Sequence, residues 1–149
     1  MGAEVNRLGV LCLAVLAGGT MRASGQTAAD SAGIRATAHD YIDGWYDRDA
    51  ARMESAVHSH LAKRLVYQDQ QGRSRLVDLT AMELVQSTRP GDKTPKAEQR
   101  DSVTILDIFG NVAVARIDAN QWVDFLHLIK WNGHWLIINV VWENRPRTP

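Results

Sequence analysis

The sequence has little of the chemistry that marks a disulfide-stabilised, metal-binding or nucleic-acid-binding protein. It contains one cysteine, Cys12, which lies in an apolar N-terminal run. The 17 Lys and Arg residues balance 17 Asp and Glu residues, so no net charge attracts nucleic acid or an anionic membrane. No Gly-rich phosphate loop, nucleophile elbow or zinc signature is present. These absences set nucleic-acid binding aside and leave no catalytic motif to follow.

The N-terminus has the charge and size order of a secretory signal. Arg7 precedes an apolar run at residues 8–17 that is too short to span a bilayer, and small residues follow at Ala23-Ser-Gly25. We expect cleavage after Gly25, which leaves an exported chain without cysteine, disulfides or a membrane anchor. The alternative is a buried N-terminal helix.

The domain organisation follows from that cleavage. Residues 1–25 are predicted to be a signal peptide, residues 26–33 a polar linker, and residues 34–149 one folded domain that is periplasmic or secreted. With 45% hydrophobic and 23% charged residues, the chain has the composition of an ordinary globular domain with one core.

Three helices are predicted before the main strand region. The first has apolar residues at spacings of three and four, which places them on one stripe. These residues are Ile34, Ala38, Tyr41, Ile42 and Trp45. Asp47 and Asp49 supply capping carboxylates for a short second helix from Ala50 to Val57. Thr80-Ala-Met-Glu83 matches a capping box for a third helix, which ends near residue 88.

The last part of the chain predicts an antiparallel sheet. Asn132-Gly133 separates two runs rich in Val, Ile, Phe and Trp, which is a strong hairpin signal. Gly110-Asn111 and Asn120-Gln121 predict two further tight turns, and a weaker strand is predicted at Leu65-Val-Tyr67. The expected cross-strand partners are Ile108 with Ala113, Leu106 with Ala115, Thr104 with Ile117, Ile117 with Asp124, Ala115 with Leu126, and Ala113 with Leu128.

Strand alternation divides this sheet into two faces. The small Ala113 and Ala115 leave room for the first helix on one face, which we call the inner face. The final hairpin is expected to add Ile137, Asn139 and Val141 to it. The outer face is expected to hold Val114, Arg116, Val123, Phe125, His127, Ile138, Val140 and Trp142. That face is too apolar for water alone, so a second copy of the chain is expected to cover it in a homodimer.

The predicted order of elements is three helical segments followed by a curved sheet that wraps the first helix. This order resembles that of the nuclear transport factor 2-like, or ketosteroid isomerase-like, α+β cone. The motifs Tyr41-Ile-Asp-Gly-Trp-Tyr46, Asp49-Ala-Ala-Arg-Met-Glu54, Leu61-Ala-Lys-Arg64 and the closing hairpin resemble the branch of putative lumazine-binding proteins. The resemblance covers about residues 34–143 and implies a pterin-like ligand. His58-Ser-His60-Leu61 departs from the expected His-Pro-Asp-Leu turn, so a role tied to that aspartate does not carry over.

One place on the predicted inner face is chemically unusual. Asp124 and Asn139 are expected to be diagonal neighbours, with Trp122 beside them and Tyr41 or Trp45 opposite. An apolar surrounding raises the pKa of a carboxylate, which can then act as a general base next to a carbonyl group. The other interpretation is that Asp124 accepts a structural hydrogen bond from a Trp or Asn side chain.

The histidines offer weaker candidates. His58 and His60 are two residues apart, but no third metal ligand is near them in sequence, and a loop end is the expected position. His39 and Asp43 have helical spacing yet lie off the apolar stripe, which indicates a solvated pair. His127 is expected at the dimer contact. No metal and no cofactor are predicted.

Three functional hypotheses remain open. The first is an exported binding protein that holds a small apolar or aromatic molecule between the first helix and the inner face, with ligand-binding residues Tyr41, Trp45, Trp122, Leu126 and Asn139. The second is a ketosteroid isomerase-like enzyme (isomerase, dehydratase or cyclase) with Asp124 as the catalytic base. The third is a non-catalytic protein-interaction module.

Overall fold

The computed structural model describes residues 27–146, which form three α-helices and six strands. The elements are α1 (Ala28–Asp47), α2 (Ala50–Ala56), β1 (Val57–Gln68), β2 (Ser74–Thr80), α3 (Ala81–Thr88), β3 (Ser102–Phe109), β4 (Val112–Asp118), β5 (Trp122–Trp131) and β6 (His134–Asn144). A short 3-10 helix, Lys96–Glu98, precedes β3. None of the helices described is both long and apolar enough to span a membrane. The predicted signal peptide lies outside the described residues.

The first helix begins earlier than its periodicity predicted. It starts at Ala28, so most of the segment expected to be a linker is helical. Thr27 caps it, because its Oγ1 accepts a hydrogen bond from the backbone N–H of Asp30 at 3.0 Å. Gly33 weakened the helix signal in this segment. A Cβ at that position would lie 2.8 Å from Cδ1 of Trp135, so the glycine allows the indole to pack directly against the helix.

The other two helix starts are confirmed at the level of single hydrogen bonds. Asp49 is the N-cap of α2 and accepts from the backbone N–H of Arg52. Thr80 and Glu83 form the predicted capping box of α3, in which each side chain accepts a backbone N–H of the other residue. The polar segment before Thr80 differs from expectation. It forms β1 and β2, and His58 and His60 lie in strand β1 rather than in a loop.

The six strands form one curved, open sheet in the order β2-β1-β6-β5-β4-β3. The α+β cone is confirmed, but the sheet is mixed because β1 runs parallel to β6. The turn at Asn132-Gly133 has positive φ at both residues, as a two-residue hairpin turn requires. The helices lie against the inner face, where Ala113, Ala115 and Ile117 are almost fully buried.

The predicted strand register is confirmed where the strands are regular and wrong beyond two bulges. All three predicted β4–β5 pairs are present, as is Ile108 opposite Ala113. A bulge between Ile105 and Asp107 then shifts β3, so Ile105 and not Leu106 faces Ala115, and Val103 and not Thr104 faces Ile117. The extra residue therefore reverses the predicted side of the β3 residues that precede it in the chain.

A second bulge, at Ile138, changes which residues of β6 face the helices. Leu128 pairs with Ile137, but His127 pairs with Asn139, so one extra residue lies between them on β6. The predicted faces are therefore wrong after Ile138. Val140 and Trp142 face inward, opposite Leu126 and Asp124, whereas Asn139 and Val141 face outward.

Even with this correction the outer face is strongly apolar. No helix covers it in the described part of the chain, and two of its central side chains, Phe125 and Val141, are 43% and 48% exposed. Apolar side chains on this face include Val66, Leu76, Phe109, Val112, Val114, Val123, Phe125, Ile129, Ile138 and Val141. Two of its basic side chains pair with carboxylates of the same face, Arg64 with Asp78 and Arg116 with Asp118.

Candidate functional site

A cavity of about 240 Å³ lies between the helices and the inner face of the sheet. Its wall is predominantly aromatic and aliphatic, with few polar groups. The aromatic side chains are Tyr41, Trp45, Trp122 and Trp142, the aliphatic ones are Met53, Leu79 and Leu84, and the polar ones are Lys63, Ser87 and Asn144. All three helices contribute to this wall, together with β1, β2, β5 and β6.

Helix α1 and strand β5 place three of the predicted ligand-binding residues in this wall. Tyr41 and Trp45 are one helical turn apart on the stripe that faces the sheet. Trp122 begins β5 and meets the ring of Trp45 edge to face at 6.5 Å. Tyr46 supports Trp122 from the other side, with ring centroids 5.9 Å apart. The aromatic side chains therefore stabilise one another in position.

The other two predicted ligand-binding residues do not line the cavity. Leu126 is fully buried in the core beneath the sheet surface. Asn139 lies on the outer face, where its side chain accepts from Arg64 at 3.2 Å and contacts Nδ1 of His127 at 3.3 Å. The expected Asp124–Asn139 neighbourhood was wrong because the bulge at Ile138 reverses the direction of every later side chain.

Asp124 is fully buried behind the cavity wall and has three hydrogen-bond donors. Its Oδ1 accepts a hydrogen bond from Nζ of Lys63 at 2.9 Å and another from the Tyr41 hydroxyl at 3.4 Å. Its Oδ2 accepts from Nε1 of Trp122 at 2.6 Å. Among the described residues, Asp124 is not part of the cavity lining, but all three donors are. The buried carboxylate therefore orients the groups that a ligand would touch.

Lys63 lines the cavity and was not among the residues predicted for the site. Its side chain is only 10% exposed, and its ammonium group also donates to the hydroxyl of Tyr41. The ammonium lies 5.1 Å from the ring centroid of Tyr41 and 5.0 Å from that of Trp142. The sequence does contain a signal, because Leu61, Lys63 and Leu65 share one face of a strand by alternation.

Tyr41 stays a neutral phenol in this cluster. Burial, and then the adjacent Asp124 carboxylate, raise the pKa of Tyr41 well above its ordinary value. The Tyr41 phenol can thus accept a hydrogen bond from Lys63 while its own O–H donates a hydrogen bond to the Asp124 carboxylate. The cluster of Lys63, Asp124, Tyr41 and Trp122, which we call the polar cluster, has one positive and one negative charge.

The histidine candidates lie away from this cavity. The ring of His58 packs against Trp131 at 5.1 Å, with His60 beside it. His39, Asp43 and Asp101 each bring one ligand-type atom within 4.8 Å of the others. Asp43, however, already pairs with Arg52 at 2.9 Å. Exposed groups of this kind are common, and we assign no metal to this one.

The sequence was compared with family models and with curated proteins. A model described as putative lumazine-binding matches residues 29–143, which is most of the chain and includes every residue of the cavity wall except Asn144. The chain belongs to the putative lumazine-binding family. No curated protein matches it.

Solved structures similar to this member of the putative lumazine-binding family share the cone. A nuclear transport factor 2-like protein of unknown function from Shewanella baltica OS155 is 21% identical, with a TM-score of 0.67 over 82% of this chain and 99% of that one. A second, from Methylobacillus flagellatus KT, is 21% identical, with a TM-score of 0.65 over 83% and 98%. A third, from Silicibacter pomeroyi DSS-3, is 17% identical, with a TM-score of 0.64 over 80% and 100%. At these identities the likeness shows the fold alone.

Proposed function

We propose that this protein binds a small planar aromatic molecule in the cavity between the helices and the inner face. The observation that carries the proposal is the cavity wall itself, in which four aromatic side chains surround a space of about 240 Å³ beside one buried polar cluster. Pockets for drug-sized ligands measure roughly 300–1,000 Å³, so this space suits one or two fused rings. The pteridine implied by the family description has that size and shape.

The geometry favours binding over proton abstraction by Asp124. A general base must reach the proton of its substrate directly or through one water molecule. Asp124 is fully buried, is paired with Lys63 and accepts hydrogen bonds from Tyr41 and Trp122. The enzyme hypothesis with Asp124 as base therefore has no geometric support, and the open cavity argues against a pure interaction module.

Export and dimerisation complete the proposal. The order of charge, apolar run and small residues before Gln26 supports a cleaved signal peptide. N-terminal sequencing of the protein recovered from its host should find Gln26 first, and a protein that still begins at residue 1 would refute export. The outer face supports a homodimer because Phe125 and Val141 at its centre are apolar and about half exposed, so a second copy of the same face could cover them.

The binding proposal is tested by blocking the cavity from its helix α3 side. Ser87 lines the cavity, whereas its neighbour Gln86 does not, and both side chains are exposed. Isothermal titration calorimetry with lumazine and other bicyclic heteroaromatics should show binding to the wild type. Ser87→Trp should weaken that binding by at least about tenfold, because an indole fills the space that the ligand needs.

The matched control is Gln86→Trp, which adds the same side chain outside the cavity. It should bind as the wild type does. Equal weakening by both variants would show that the ligand lies elsewhere, and absence of binding across the whole series would refute the proposed function.

A further inference from the structure

Lys63 is the one charged side chain in the cavity wall of the described residues, and its charge is already balanced. Asp124 lies 2.9 Å from its ammonium, and no second charged group is among the residues that line the space. The cavity and the polar cluster together are therefore electrically neutral before any ligand enters.

One hydrogen-bond donor of Lys63 has no acceptor among residues 27–146. An ammonium group has three N–H bonds. Lys63 donates one to Asp124 and one to the Tyr41 hydroxyl. The third belongs to a side chain in the cavity wall, so a ligand oxygen in the cavity can accept it.

A cationic ligand is disfavoured although the wall is aromatic. Cations bind to the faces of Trp and Tyr rings, but the ammonium of Lys63 already lies about 5 Å from the ring centroids of Tyr41 and Trp142. A second cation in the same small space would be repelled by the first.

A fully anionic ligand is disfavoured for the opposite reason. It would give the neutral cluster a net charge beside a largely apolar wall, and a buried charge without its own partner is costly. Lys63 cannot supply that partner without losing part of its interaction with Asp124.

Resting on the proposed function, we infer that Lys63 selects the ligand: the cavity accepts an uncharged one- or two-ring aromatic compound whose carbonyl oxygen takes the third N–H of Lys63. Asp124 is a positioning residue in this arrangement, since it neutralises and orients the ammonium without touching the ligand.

Four compounds on one bicyclic frame separate these preferences. Two of them are neutral: 2-quinolone has a carbonyl acceptor, and naphthalene has no acceptor. The other two are charged: quinoline-2-carboxylate is an anion, and N-methylquinolinium is a cation. Calorimetry with the wild type should rank 2-quinolone first by about tenfold or more, as expected for a hydrogen bond to a charged donor. Comparable affinity for all four would overturn the role of Lys63 and leave the proposed function standing.

Asp124→Asn then tests the balance of charge. The amide oxygen still accepts hydrogen bonds, but the negative charge is removed and Lys63 becomes an unbalanced cation. The preference should shift toward quinoline-2-carboxylate by about tenfold relative to 2-quinolone, since the anion now meets an unpaired charge. An unchanged ranking would contradict the inference even if no Lys63 variant folds.

The double variant Lys63→Met with Asp124→Asn removes the donor and both charges. It should bind 2-quinolone and naphthalene with similar affinity. The matched control is Lys130→Met with Asp30→Asn, which removes a Lys–Asp pair of 2.8 Å outside the cavity and should keep the wild-type ranking. Persistence of the 2-quinolone preference in the cavity variant would overturn the inference, whereas binding of none of the four compounds or of lumazine to the wild type would refute the proposed function.

Discussion

Lys63 and Asp124 differ from the other ion pairs of residues 27–146 because their side chains are only 10% and 0% exposed. Removing two charges from water costs free energy. The attraction between the charges offsets this cost only when hydrogen bonds also satisfy their remaining donors and acceptors. Tyr41 and Trp122 supply those hydrogen bonds here. The pair is better explained by its position at the cavity than by a gain in stability.

This interpretation makes a prediction for unfolding. Lys63→Met should destabilise the protein by about 3–5 kcal/mol, because it leaves the Asp124 carboxylate buried without its cation. The double variant with Asp124→Asn should recover most of that loss, since neither charge remains. Urea unfolding of the two single variants and the double variant measures the coupling, and free energies that simply add within about 0.5 kcal/mol would contradict it.

At the level of single residues, three of the five candidate ligand-binding residues lie in the cavity wall. Tyr41, Trp45 and Trp122 could be predicted from the sequence, because aromatic residues on the apolar stripe of a helix or at the start of a strand point toward the core. Lys63 entered only as part of the motif Leu61-Ala-Lys-Arg64 and was not predicted as a site residue. Only the alternation of Leu61 and Leu65 around it shows that it faces inward.

Among the elements, local chemistry decided which predictions were correct. The capping box of α3 and the turn at Asn132-Gly133 depend on a few neighbouring residues, and both are present. The position of a bulge depends on longer-range packing. Residues 135–138 are all apolar, so either strand parity buries apolar side chains and the alternation does not reveal the extra residue. The parallel pairing of β1 with β6 is likewise set by tertiary packing.

The whole molecule leaves one sheet face without a cover. On that outer face Phe125 pairs with Val141 on the next strand, and both are about half exposed. Contiguous apolar surface of this kind is typical of an interface in soluble proteins. An isologous contact between two copies would bury both faces at once.

The assembly is tested by a charge at the centre of that face. Phe125→Glu should convert a wild-type dimer into a monomer at micromolar concentration, because two buried carboxylates would face each other across the symmetry axis. Sedimentation velocity measures this directly. Met82→Glu is the matched control, since Met82 is an exposed apolar residue on α3, away from the sheet. A monomeric wild type would refute the homodimer.

The bulge at Ile138 also couples two surfaces of this chain. It sets the side on which each later residue of β6 lies, so Trp142 reaches the cavity while Val141 reaches the outer face. A variant that lost the extra residue would exchange these two positions and change the cavity wall and the outer face in one step. A change of one residue in the length of this strand segment would therefore alter the cavity wall and the outer face together. Substitutions at fixed length can change the two separately, and alignments that ignore the bulge would compare cavity residues of one protein with surface residues of another.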